Sequence, residues 1–240
     1  MCTILFVVGF GTTVSAHDPE QGIPTDIFLL ETGMSQEQID ALDADIKEYI
    51  VADLKKNANV SDLTYVDSEM ISTVSPRVSQ SLTGIEFSCP AWYERDVIHL
   101  YPTYEFTTTK RPRGQDSFSF VLGDAMMPYN YGGKLWYKAD YMEDWESTSN
   151  DTLSANTQSM NGAEFSGSQL GTPDSKIYIK GCTNAQAYPG SGTDKRIIMS
   201  YMHNPNRSNY SISFSAMGLG ISYTAPGTIY TAAKTVQLSY

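Results

Sequence analysis

The chain has 240 residues and a net charge of −11, from 27 acidic and 16 basic residues. A nucleic-acid binder needs a basic footprint and docking on anionic lipid needs a polybasic patch, so both are excluded as primary roles. With 41% hydrophobic residues the chain can bury the core of one sizeable domain.

The N-terminus carries the apolar run Ile4–Phe10 and then Val14-Ser15-Ala16. A short apolar run closed by small residues is the pattern of a secretory signal, so residues 1–16 are read as a signal peptide and the protein as secreted. Residues 17–58 are helical in pattern. Pro24 suits a first helical turn and Gly33 a stop. Ser35 and Gln38 form a capping box with Met34 and Ile39 as its staple, and Ile39, Leu42, Ile46, Tyr49, Ile50 and Leu54 make one apolar stripe. Lys55 and Lys56 sit where cations favour the helix C-terminus. One stripe needs one partner surface, and a β domain is the expected partner.

Residues 59–83 are rich in Ser, Thr and Val and read as a linker with a short strand at Leu63–Val66. From 84 to 240 the period is two. Ile85/Phe87/Cys89, Ile98/Leu100, Tyr104/Phe106, Phe118/Phe120/Leu122, Leu135/Tyr137/Ala139, Ile177/Ile179 and Val236/Leu238 each give one side of a strand. Pro102 falls between Ile98/Leu100 and Tyr104/Phe106 and makes that strand an edge or a broken one. The expected fold is mainly β, an antiparallel β-sandwich of jelly-roll or Ig-like two-sheet packing with an N-terminal helical segment. Arg196–Tyr223 reads as a hairpin. One strand runs to Met202, a polar turn follows at His203–Asn209, and the returning strand slips phase near Ala216-Met217, as a β-bulge would make it.

Common catalytic signatures are absent: no HExxH, GxSxG or SxxK occurs, and no phosphate loop. No catalytic residue, metal site or cofactor is expected, and His17, His99 and His203 read as structural. Cys89 and Cys182 are a candidate disulfide in an exported chain. Cys89 is in phase with the apolar side of its strand, whereas Cys182 falls on the Lys180 side, which opposes a bridge. The most suggestive cluster is aromatic: Tyr129, Tyr131, Trp136 and Trp145. Trp136 shares a strand face with Lys138 and Asp140, as a binding surface would require, or else it is core beneath a covered face.

At Gly33–Asn57, with the export segment ahead of it, the chain resembles secreted proteins of Gram-positive, clostridia-like bacteria. Their layout is a signal, a short acidic capped helix and a Ser/Thr/Tyr-rich β domain. The resemblance implies export and a bacterial source and carries no catalytic residues. The expected function is that of a non-catalytic extracellular binding protein with a glycan or protein partner. One alternative is a carboxylate-dependent glycan hydrolase, which would need two of Glu86, Glu94, Glu105, Asp116 and Asp124 to converge. Another is a β-pore-forming protein, because Ser211–Ser215 and Val236–Tyr240 alternate as membrane-barrel strands do. Half-buried sandwich strands alternate in the same way, and a membrane is not the expected partner.

Overall fold

The computed structural model describes residues 23–72, 80–109, 114–147, 152–167, 176–206, 208–215 and 219–240. The segment read as a signal peptide, residues 1–16, and the phase slip expected near Ala216-Met217 lie outside the described residues. Three helices open the fold: α1 (Thr25–Glu31), α2 (Gln36–Asp40) and α3 (Ala44–Asn57). The capping box forms as the sequence predicts, with Ser35 and Gln38 bonded reciprocally at the start of α2. The single helix expected after it is broken, however. Asp43 takes extended geometry and its side chain accepts from the backbone of Asp45 and Ile46, which starts α3 as a separate helix. Ile39, Ile46, Ile50 and Leu54 remain on one buried face.

The strands are β1 (Thr64–Ser72), β2 (Gln80–Ser81), β3 (Ile85–Ser88), β4 (Ala91–Glu94), β5 (Val97–Leu100), β6 (Thr103–Phe106), β7 (Gln115–Leu122), β8 (Met126–Ala139), β9 (Ala155–Gln158), β10 (Gly162–Gly167), β11 (Ile177–Pro189), β12 (Arg196–Asn204), β13 (Ser211–Ser215), β14 (Gly220–Thr224) and β15 (Tyr230–Ser239). All but β13 and β14 belong to one large curled sheet, antiparallel except where β2 meets β15. Its first half runs β3-β6-β11-β5-β4-β1, with β8 along the other edge of β11; its second half runs β1-β15-β12-β7-β10-β9. β1 belongs to both. Thr64–Val66 pair with β4, and Asp67–Ser72 pair with β15. The stretch read as a linker with a short strand therefore carries the strand that joins the halves.

The halves face each other across one apolar core. Phe87, Ile98, Leu100, Tyr104, Phe106 and Ile179 come from the first half, and Phe118, Phe120, Leu122, Ile197, Met199, Tyr201, Val236 and Leu238 from the second. Those outside β12 are the alternate positions that the period-two reading marks as one side of a strand. Tyr104 is central: its ring lies 4.7 Å from that of Phe118 and 5.0 Å from that of Tyr201. It fits because its partner on β11 is Gly181, where a Cβ would come within 2.5 Å of the ring.

Each half is also covered on its outer side. The helical segment lies over the first half, burying Phe28, Leu29, Ile39, Ile50 and Leu54 against Trp92, Tyr101, Trp136 and Cys182. The Trp92 indole donates to Thr32 Oγ1 at 2.8 Å. The second half is covered by β13 and β14, which pair only with each other. This corrects the hairpin expected over Arg196–Tyr223. β12 pairs with β15 and β7 instead, and the chain after it turns at Leu219 (φ +39) to bring β14 back along β13.

Gly181→Ala should destabilise the protein by about 1–3 kcal/mol, the usual cost of overpacking a core. Gly220→Ala, where nothing lies within 4 Å of the added carbon, should be close to neutral. Urea denaturation of both variants checks the pair.

Candidate functional site

On the outer face of the first half, cross-strand pairing lines up Glu86 (β3), Glu105 (β6), Lys180 (β11) and Trp136 (β8) in one row. Lys180 is fully buried. Its ammonium pairs with Asp43, the residue capping α3, and with Asp45 at 2.6 Å. The Trp145 ring lies 4.2 Å from the same nitrogen. An ammonium out of water needs such partners, so this cluster fixes where the N-terminus of α3 sits on the sheet. Farther along α3, Tyr49 donates to Asn184 at 2.7 Å and Tyr101 donates to Asp53 at 2.8 Å.

The four aromatics singled out by sequence are not one surface. Trp136 is 3% exposed and packs edge-on to Tyr49 beneath α3. Trp145 is half-buried over Lys180. Tyr131 faces inward, beside Phe120 and Phe165. Tyr129 faces outward. Two residues apart on a regular strand, Tyr129 and Tyr131 would share a face. A bulge separates them: between the pairs Asn184↔Gly132 and Gln186↔Tyr129 the chain advances two residues on β11 and three on β8, with Asn130 at φ +52.

Past this bulge the outer face of β8 and β11 is open. Tyr129 stacks on Tyr188 at 4.4 Å and 11°. Tyr188 is 49% exposed, and Met127, its direct cross-strand partner, is 50% exposed. The bulge residue Asn130 donates to Gln186 Oε1 at 3.0 Å. Gln186 in turn reaches the carbonyl of Asn57, at the end of α3, at 3.5 Å. The result is a small platform of two tyrosines and a methionine, rimmed by two amides, beside the end of the helical cover. Burial and the hydrogen bond with Tyr188 push the Tyr129 hydroxyl up to about 12. Sequence reasoning found Tyr129 but missed Tyr188, Met127 and Gln186. The first two are apolar positions on the solvent side of their strands, a signal that becomes readable only once the bulge is placed.

The carboxylates of the hydrolase reading separate into four places. Glu86 and Glu105 are neighbours on the open sheet face. Glu94 lies 3.2 Å from His99 Nε2, Asp116 lies 2.7 Å from His203 Nδ1, and Asp124 accepts from the Asp194 backbone. Cys89 and Cys182 are both buried and unbridged. They point to opposite sides of the same half-sheet, Cys89 into the inner core and Cys182 under the helices, so the disulfide proposed from sequence is not formed. Burial pushes the Cys89 thiol up to about 12 and Cys182 well above its ordinary value.

Neither a family profile nor a curated protein sequence matches the chain. Among solved structures it is similar to a pore forming protein (TM-score 0.42, 7% identity, 74% of this chain and 95% of that one). It is also similar to the collagen-binding domain from a Staphylococcus aureus adhesin (0.30, 6%, 64% and 98%). A third is the KRT10-binding region domain of the pneumococcal serine rich repeat protein PsrP (0.27, 14%, 67% and 99%). Likeness at this level carries no argument about what the chain does.

Three outcomes follow from the Lys180 row. Asp43→Asn with Asp45→Asn strands a buried ammonium and should cost about 3–5 kcal/mol in urea unfolding. Lys180→Met should cost less, because the carboxylates it leaves are 22% and 38% exposed and water can reach them. Glu105 is held above the ordinary carboxyl range, first by burial and then by Asp43, with Lys180 opposing and Glu86 adding to the rise. Its protonated form favours the fold. That contribution is complete below the unfolded value of about 4.3 and is lost as pH rises through the higher folded one. Glu105→Gln should therefore raise the Tm at neutral pH and leave it unchanged in acid below that value.

Proposed function

We propose that the protein is an exported, non-catalytic binding protein that takes an extracellular polypeptide on the Tyr129–Tyr188 platform. The observation that carries this reading is the stacked, half-exposed tyrosine pair flanked by an exposed methionine and two side-chain amides. Rigid tyrosines give large contact area at small entropy cost, and tyrosine and methionine are enriched where proteins meet. Stacking uses one face of each ring, which leaves edges and hydroxyls outward and suits a polypeptide better than the flat face of a sugar. Export is supported by the apolar run Ile4–Phe10 followed by Val14-Ser15-Ala16. Among the described residues no helix is long and apolar enough to cross a membrane. Of the five carboxylates of the hydrolase reading, Glu86 and Glu105 are cross-strand neighbours and the other three lie at separate places, so that alternative would rest on this one pair.

Binding is measured by surface plasmon resonance against collagen, other fibrous extracellular proteins and a glycan panel. Tyr129→Ala and Tyr188→Ala should each weaken protein binding by about tenfold or more, as hot-spot truncations do, with little change in Tm. Trp136→Phe should lower the Tm and leave binding intact. Binding that survives both tyrosine substitutions removes the platform from the function, and binding confined to glycans moves the assignment to sugars.

A further inference from the structure

The cover on the second half of the sheet differs in kind from the helical one. β13 and β14 form a separate two-stranded sheet with strict alternation. Ser211, Ser213, Ser215, Ser222 and Thr224 are exposed, while Ile212, Phe214, Ile221 and Tyr223 turn toward the large sheet. Beneath them lies a mixed face. Ser117, Ser119, Ser200 and Glu164 are buried there, beside the apolar Val121, Ile198, Met202 and Ile229. Tyr223 reaches Ser119 Oγ at 3.1 Å, and Tyr210 donates to Glu164 at 2.5 Å.

The connectivity is equally telling. β12 and β15 are paired neighbours up to His203↔Tyr230, and β13 and β14 are inserted between them. From His203↔Tyr230 to Ser211↔Thr224 the chain advances eight residues on one side and six on the other. The small ladder thus continues the large one with a two-residue offset, folded back onto the outer face of its own sheet. At the fold-back, Ser208 Oγ donates to the Pro226 carbonyl at 3.1 Å, which holds the two arms together. No Asp, Glu, Lys or Arg occurs from Ser208 to Ala233, 26 residues in a chain that is 18% charged.

We infer that this ribbon is a membrane-inserting element: it swings off the serine-lined face, extends the β12–β15 pair and crosses a lipid bilayer. Ser208–Ser215 and Leu219–Pro226 supply eight residues a side. This is close to the ~9–11 that a barrel strand needs. Tyr210, Ile212, Phe214, Leu219, Ile221 and Tyr223 then face lipid, and the serines and Thr224 face an aqueous lumen. A lone ribbon would leave its edges unpaired in hydrocarbon, so several copies must join their ribbons into a closed barrel. The face left behind carries Ser117, Ser119, Ser200 and Glu164, which water can solvate, between the smaller apolar spots at Val121, Ile198 and Met202. A membrane-inserting ribbon takes up the β-pore-forming alternative that the alternation of Ser211–Ser215 offers, against the first expectation that a membrane is not the partner. It is independent of the tyrosine platform, which lies on the other half of the sheet.

The test uses the full chain with phosphatidylcholine vesicles, since its net charge of −11 disfavours anionic lipid. Wild type should release entrapped dye. Phe214→Trp should be quenched by brominated phosphatidylcholine, whereas Ser213→Trp and the three native tryptophans should not. If Phe214→Trp does not fold, Ile212→Trp replaces it. Ser213→Lys with Ser222→Lys, both exposed in the folded chain, should shift the reversal potential of planar-bilayer currents toward anions. Absence of dye release by folded protein, release without quenching at either position, or unchanged ion selectivity each overturns the inference.

Discussion

Each half of the large sheet is buried on its inner face and over much of its outer one, and a sheet covered on both sides needs a third layer. This constraint governs the whole molecule. The inner faces meet each other through Tyr104, Phe118, Phe120 and Tyr201, and the outer faces must find covers elsewhere in the chain. The first half takes its cover from the chain's beginning, as helices; the second takes it from an excursion between two of its own strands. The two covers obey different chemistry. Under the helices lie Trp92, Tyr101 and Trp136, large rings packed with isoleucines and leucines. Under β13 and β14 lie serines beside Val121, Ile198 and Met202.

Lys180 makes the helical cover specific as well as apolar. An apolar stripe on a helix can slide or rotate over a greasy sheet at small cost, whereas a buried ammonium accepts one arrangement of carboxylates. Asp43 serves twice, capping α3 through its backbone neighbours and pairing with Lys180. The break between α2 and α3 is what places that carboxylate over the sheet. The local choice of a helix start and the distant choice of a docking position therefore meet in one residue, the agreement between levels expected of a sequence that specifies one fold.

Much of this was legible in the sequence because it is local. Period-two runs marked the inner-face residues, the Ser35–Gln38 box marked α2, and the phase of Cys182 already opposed a bridge with Cys89. What stayed hidden depends on partners far along the chain. β12 looked like half of a hairpin with the segment that follows it, yet its ladders are made with β7 and β15. Nothing near residue 200 encodes that choice, because strand pairing is settled by which faces must be buried together. One αL residue, Asn130, then reassigned the aromatic cluster by turning Tyr129 out while Tyr131 turned in. Asparagine tolerates that conformation, but its presence does not announce it.

The dual pairing of β1 has a consequence for how the chain behaves when cut. The helices run directly into this strand, and the Tyr65 amide donates back to the Thr32 carbonyl at 2.7 Å. The exposed stretch around Val60 and Ser61 is where a protease would gain entry. A nick there would sever the backbone without parting the pieces: the upstream fragment would stay seated through Phe28, Leu29, Ile50 and Leu54, and the downstream fragment would keep β1 whole. The segment ahead of the β domain is thus held to it by an apolar interface as well as by the backbone.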